Sequence, residues 1–474
     1  MSLETSELAR KFRLSSNYFH TLVSGVQLDS RLIVPGDLFI AAEGERSHGI
    51  EFLERARAAG AVAVLTDEHH VPTGDFPTLI HPNPKQVAGE IAGELYGTRT
   101  AGMRLFGVTG TNGKTSTVSY LQQILTQLQV SCGLSASTNR IVGNEIRGSE
   151  LTTPEVTQLH KMLAEMRAAG QMAAVIEVSA QAMIRNRVDA ILFETVGFTN
   201  LSRDHLDDFG SMDQYLVAKA RLFTSEFAKS GVILNEDPYA AQLITMCQIP
   251  IVTIGEGGDY RYRFTGQQLS ISGKQTGVFS FTGGALMAKN LVVAVVMLLE
   301  AGFDVDALSS AVSNANLNVS GRLQRVSEKK PAVFVDYAHT PAGVEAAVQE
   351  IASRYPSLTV VLGASGNRDQ GKRAAMAEAG AKASTLIITD QHPRDEDPAA
   401  IRETLVSTAQ KIMDSGRLFE ISDPEAAIAK AIELTSEDSA VLWCGPGHLK
   451  YREISGTKVP FDAIEIARRA VERD

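Results

Sequence analysis

The sequence predicts an α/β protein of three domains, and three observations carry that expectation. Its 474 residues exceed what one hydrophobic core organises, since domains usually run to about 100–200 residues. Short apolar runs alternate with helical stretches, the pattern of mostly parallel sheets wrapped by helices. A glycine-rich turn stands between one such run and the helix after it. The expected divisions are 1–98, a small N-terminal α/β domain; 99–320, a central parallel sheet with appended antiparallel hairpins; and 321–474, a Rossmann-like α/β domain.

Each element has its own signal. VQLDSRLIVPGDLFIAAEG (26–44) places a Pro-Gly turn between apolar stretches, IEFLERARAAG predicts a helix ending at Gly60, and AVAVLTD (61–67) a strand. The aperiodic YGTRTAGM (96–103) is a linker. RLFGVTGTNGKTSTVSYLQQILTQLQ then predicts strand, glycine loop and helix, and strands follow at 173–179, 194–202, 231–237 and 250–255. YRYRFTGQQLSISGKQTGVFSF alternates polar and apolar residues between turn residues, so it predicts antiparallel hairpins. A helix over 289–301 leads to Gly321. AVFVDYA, LTVVLGAS, STLIITD and AVLWCGPG, each followed by a helical stretch, build the last domain. Ligands of open α/β sheets bind at the carboxyl ends of strands, which directs attention to the loops there.

Composition excludes several classes. Hydrophobic residues make up 44% and charged residues 21%, ordinary for a globular protein. A formal net charge of −10 argues against a general nucleic-acid binder. No apolar run is long enough to span a bilayer. MSLETSELARKFRLSS lacks a basic region followed by an apolar stretch, so a cytoplasmic protein is expected. Cys132, Cys247 and Cys444 lie far apart without metal-ligand spacing, consistent with reduced thiols.

The strongest chemical signal is Gly110-Thr111-Asn112-Gly113-Lys114-Thr115 between strand and helix. Glycines let backbone N–H groups close around phosphate, and the helix N-terminus adds a favourable dipole. Lys114 would neutralise the β and γ phosphates of ATP, and the Thr115 hydroxyl would ligate Mg²⁺. The general P-loop pattern carries a glycine where this chain has Val108. Alone, the loop specifies an NTPase or kinase. Glu177 closes one strand and His205 follows the next, so both fall on the same sheet edge as the loop, where a carboxylate and a neutral imidazole suit Mg²⁺.

TGTNGKT, FTNLSRDHLD with YLVAKARLF, SGRLQRV (320–326) and VFVDYAHTP (333–341) resemble the Mur ligase family over nearly the whole chain. The resemblance implies a P-loop ATPase core in which Lys114, Glu177, His205 and Lys219 are catalytic. Thr115 and Glu177 would hold one Mg²⁺, and His205 with a Lys219 carbamate derived from CO₂ would hold a second. Asn290, Arg322 and Asp336 would contact ATP, with His339 near them.

Members that add the third residue of the peptide stem bind UDP-MurNAc-L-Ala-D-Glu. By that resemblance Leu28 and Ser30, then Glu45, Arg46 and Ser47, would meet uridine and diphosphate. Thr152, Thr153, Ser179, Arg185 and Arg187 would meet the rest of the nucleotide sugar, and Arg373, Gln391, His392, Pro393, Arg394, Gly445 and Leu449 the incoming amino acid. The chain departs from the pattern at Ala180-Gln181, at Arg185, and at Gln391 and Leu449, where acidic residues are usual. The expected reaction is ATP-dependent addition of a third amino acid through an acyl phosphate, in peptidoglycan precursor synthesis. A diamino acid is expected, meso-diaminopimelate slightly ahead of L-lysine, and the enzyme is expected to act as a monomer. The same ligase chemistry with a different third amino acid, a folylpolyglutamate synthetase-like ligase and an inactive nucleotide-binding paralogue are the competing readings.

Overall fold

A computed structural model of the chain describes residues 2–17, 20–44, 47–99 and 102–473. Three α/β units follow one another, each around its own sheet. In the first, parallel strands Gly25–Gln27, Asp37–Ile40, Ala63–Thr66 and Thr78–Ile80 are joined at the edge by antiparallel Ser15–Ser16. The stretch after Gly49 starts as a 3₁₀ turn, Gly49–Phe52, before helix Leu53–Ala58. Gly60 then turns the chain at φ +107°, where a Cβ would press on Pro35.

The second unit is built on an eleven-stranded sheet. Its parallel centre runs Cys132–Ser135, Ala173–Glu177, Arg104–Thr109, Thr195–Phe198, Gly231–Leu234 and Ile251–Ile254. These strands are mostly apolar and mostly buried because a packed core lies against each face of the sheet. The expected hairpin strands Tyr260–Phe264, Gln268–Gly273 and Gly277–Ser280 extend the same sheet rather than forming a separate one. At the opposite edge Arg140–Val142 and Glu145–Arg147 add a further antiparallel ribbon. The sequence reading did not place it, because two three-residue strands carry too little periodicity to register. Helix Ala285–Glu300 is buried along most of its length against the sheet, and it starts four residues earlier than its apolar run suggests.

The third unit orders six strands as Gln324–Arg325, Ala332–Asp336, Ala440–Cys444, Leu358–Leu362, Thr385–Ile388 and Leu418–Glu420, parallel except for the first. An unforeseen hairpin, Tyr451–Ile454 with Thr457–Pro460, folds beside it. Among the described residues, no helix is long and apolar enough to cross a membrane.

Candidate active site

The glycine loop forms because two of its residues take backbone conformations that side chains resist. Gly110 has φ +149° and Gly113 φ +84°, and a Cβ at either would overlap Thr199 Oγ1 or Asn290 Oδ1 respectively. Gly113 caps helix Lys114–Gln127, whose first N–H groups open toward the loop. Asn200 braces the loop from the next strand: its Oδ1 accepts from Asn112 N at 3.0 Å, and its Nδ2 donates to Asn112 O at 2.9 Å. Thr111 Oγ1 donates to Ser202 O at 3.2 Å. Lys114 Nζ curls back to Gly110 O at 3.0 Å and Thr111 O at 2.8 Å. Burial pushes its ammonium below the usual lysine range, opposed by Glu177 and Asp204.

Thr115 Oγ1 lies 3.1 Å from both Glu177 oxygens. Glu177 Oε2 also accepts from Ser137 N at 2.8 Å, which fixes the carboxylate. A hydroxyl and a buried carboxylate at the mouth of a phosphate loop make a hard-oxygen donor pair that suits Mg²⁺. Lys219 is 1% exposed; its Nζ donates to Gly110 O at 2.7 Å and sits 4.2 Å from the Tyr215 ring centroid. Burial drives it well below the ordinary lysine range, with Lys114 adding to the effect and Asp204 opposing it. A neutral buried amine of this kind has the chemistry to capture CO₂. His205 stands at φ +55°, and burial lowers it to about 4, so it is a neutral imidazole at pH 7. The set fits ATP and divalent cations.

The third unit closes on this edge. Arg322 Nη2 donates to Thr115 Oγ1 at 3.1 Å, and its guanidinium covers the Tyr337 ring at 4.6 Å. Asp336 accepts from Leu323 N at 2.6 Å and Ala338 N at 2.7 Å, bonds that shape the Arg322 turn. Burial raises its carboxyl above the usual range against the pull of Arg322. His448 Nε2 reaches Ser137 O at 3.0 Å, and Thr340 Oγ1 reaches Asn112 Oδ1 at 3.4 Å. Lys114, Thr115, Glu177, Lys219, Asn290 and Arg322 are therefore brought together, with His205 and His339 linked through Asp204. Sequence reasoning missed Ser137, Asp204 and His448. Ser137 acts through its backbone, which no residue type announces.

Other predicted residues spread outward. Thr152 Oγ1 contacts Ser137 Oγ at 2.9 Å, and Thr153 Oγ1 donates to Glu177 O at 2.7 Å, so both lie beside Glu177. Ser179 caps the helix Ala180–Ile184 through Ala182 N, and Gln181 Nε2 donates to Asp208 Oδ2 at 3.0 Å. Arg185 is exposed at the end of that helix. Arg187 is 6% exposed and held by Glu155 at 2.7 Å. Leu28 packs into the N-terminal core, Ser30 opens a 3₁₀ turn capped by Asp29, and Ser47 O accepts from Gly44 N at 3.0 Å. Glu45 and Arg46 lie outside the described residues. In the same unit His48 and His70 flank Asp67, but the two rings stack at 3.8 Å and 10°. Their lone pairs then lie in parallel planes, unsuited to sharing one metal.

In the third unit Gln391 is buried, its Oε1 without a hydrogen bond, against Gly445 at φ +112°. His392 Nδ1 accepts from Glu453 N at 3.1 Å, and burial lowers the ring to about 4. Pro393 O accepts from Glu396 N at 3.0 Å, turning the chain into Arg394 at φ +54°. Arg394 Nε pairs with Glu453 at 3.1 Å, a partner not foreseen. Arg373 is 5% exposed and donates to Glu396 at 2.8 Å and Ser365 O at 3.2 Å, so its guanidinium braces the loop. Leu449 N donates to Pro446 O at 3.2 Å, with its side chain half-buried.

Comparisons with known proteins agree with this geometry. Family models of the Mur ligase family catalytic domain, the Mur ligase middle domain and the Mur ligase glutamate ligase domain match residues 22–93, 108–298 and 321–447. A UDP-N-acetylmuramyl-tripeptide synthetase of Leifsonia xyli subsp. xyli is 38% identical, the match covering 95% of this chain and 91% of that protein. A UDP-N-acetylmuramoyl-L-alanyl-D-glutamate--2,6-diaminopimelate ligase of Streptomyces coelicolor is 34% identical over 99% and 96%. A solved structure of a ligase with that same name superposes with TM-score 0.67 at 28% identity, covering 95% of both chains. The three family models match the three units in chain order, and the chain belongs to the Mur ligase family of ATP-dependent ligases that form peptide bonds in peptidoglycan precursor synthesis.

Proposed function

We propose that the chain adds the third amino acid to UDP-MurNAc-L-Ala-D-Glu. The observation that carries the reading is the convergence of Lys114, Thr115, Glu177 and Lys219 under Arg322 of the third unit. The names of the relatives point the same way. The D-Glu γ-carboxylate attacks the γ-phosphorus of ATP, the bond to the β-phosphate bridging oxygen breaks, and ADP leaves. The amine of the incoming amino acid then attacks the acyl carbon, loses a proton, and expels phosphate. Lys114 is placed to offset charge on the transferring phosphoryl group, and Arg322 to meet the nucleotide from the opposite side. Mg²⁺, held by Thr115 and Glu177 and, at a second site, by His205 and carbamylated Lys219, would supply further charge neutralisation. Closure of the third unit excludes water that would hydrolyse the acyl phosphate.

For the amino acid, meso-diaminopimelate stands slightly ahead of L-lysine. Arg394 offers a guanidinium to a distal carboxylate, although Glu453 already engages its Nε. Gln391 and Leu449 supply no carboxylate for a distal ammonium. The match of the family catalytic-domain model over 22–93 favours a nucleotide-sugar donor over a folate. Phosphate release should require both the muramyl dipeptide nucleotide and an amino acid. Release without the nucleotide sugar overturns the reading, and a panel of amino acids scored by product mass identifies the third residue.

A further inference from the structure

Two segments face each other across the cleft between the second and third units: Arg203-Asp204-His205-Leu206-Asp207 and Arg368-Asp369-Gln370-Gly371-Lys372. Each carries its charges in an order that the other complements. Arg203 donates through Nε and Nη2 to Asp369 at 3.1 and 3.3 Å. Lys372 Nζ donates to Asp204 Oδ1 at 3.0 Å, and Arg368 Nη1 lies 4.0 Å from Asp207 Oδ2. Glycine at 371 makes room for this clasp, since a Cβ there would stand 2.6 Å from Arg203 Nη2.

The three pairs are not equivalent. The Arg203 and Arg368 side chains are 51% and 47% exposed, so water and salt screen their pairs. Lys372 and Asp204 are only 9% and 6% exposed. Removing one member of a buried pair strands the other charge in a low-dielectric setting, a far larger penalty. The second oxygen of Asp204 is 3.3 Å from His205 Nε2 and 3.6 Å from His339 Nε2. One buried carboxylate therefore touches an imidazole of the second unit and a cation and an imidazole of the third.

We infer that Asp204 is a positioning residue: its carboxylate, completed by Lys372 only when the third unit is seated, sets the orientation of His205 and ties domain closure to assembly of the site. The catalytic consequence rests on the acyl-phosphate reading above. With Lys372 in place the intermediate is sealed from water. Without it the site opens before the amine attacks, and water takes the acyl group, releasing phosphate with no amide.

The test uses the full chain, with phosphate and peptide product measured in the same reaction. Lys372→Met and Asp204→Asn are expected to lower kcat roughly 10- to 100-fold. KM for the nucleotide sugar should stay close to wild type, and phosphate released per amide should rise above one. Arg203→Asp alone should lower kcat about two- to fivefold, and adding Asp369→Arg should restore it, since the charges are exchanged across the same contact. A purely structural role would lower phosphate and amide in proportion. That result, or full kcat in Lys372→Met, overturns the proposal, as does failure of the exchanged pair to restore what Arg203→Asp loses. Small-angle scattering of ATP-bound protein gives a second measure: Lys372→Met should have a larger radius of gyration than wild type, and an unchanged radius counts against the clasp. If wild type releases phosphate without the nucleotide sugar, the functional reading fails, while the scattering still decides the clasp.

Discussion

Replacing Lys219 by methionine should stabilise the protein while abolishing its turnover. The lysine side chain is 1% exposed, and its Nζ donates to Gly110 O. That carbonyl also accepts from Lys114 at 3.0 Å and stays satisfied in the variant. The lost bond therefore costs about 0.5–1.5 kcal/mol at most. Against it stands the cost of burying an amine that the unfolded chain keeps protonated in water. Burial holds the folded-state value well below 10.5, so below 10.5 the unfolded state binds a proton that the folded state releases. Stability then rises with pH from the depressed folded-state value up to 10.5, and at pH 7 the lysine is a net burden. Methionine removes that burden at similar volume.

The net gain should be about 2 kcal/mol, which for a unit of this size raises the melting temperature by roughly 4–8 °C. Turnover should fall by about 10²- to 10⁴-fold if a lysine-borne carbamate serves the phosphoryl site. Scanning calorimetry at pH 7 and pH 9.5 should show the difference in melting temperature shrinking at the higher pH. Bicarbonate should stabilise wild type alone, and acetate should partly rescue Lys219→Ala. A methionine variant that melts below wild type and turns over at the wild-type rate refutes the reasoning on both counts.

Gly113→Ala should weaken ATP binding at least tenfold by calorimetry, because φ +84° and the overlap with Asn290 Oδ1 together force the loop to move. Glu177→Gln should fold normally, since an amide oxygen can still accept from Ser137 N, but the Mg²⁺ concentration for half-maximal activity should rise about tenfold. Arg394→Ala should raise KM for the amino acid about 30-fold, near 2 kcal/mol, and leave KM for ATP unchanged. An equal change in both would assign Arg394 to the scaffold through its pair with Glu453.

The phosphate loop, the parallel strands, Glu177 at a strand end and His205 in the loop that follows the next strand were determined by the sequence itself. These features depend on local rules: glycine where a side chain would collide, apolar runs where both sheet faces are covered, and loops at strand termini. The resemblance in FTNLSRDHLD and YLVAKARLF likewise singled out Lys219, and the structure supplied the reason a lysine there is unusual, its burial beside Tyr215. Tertiary structure alone decided the rest. Arg187 and Arg373 share a residue type with Arg394, yet they are turned inward by Glu155 and Glu396. Asp204 meets Lys372 across 168 positions of sequence, and His448 meets Ser137 across 311. Such contacts exist only once separately folded units have docked, and no periodicity or spacing within one unit records which charge will arrive from another.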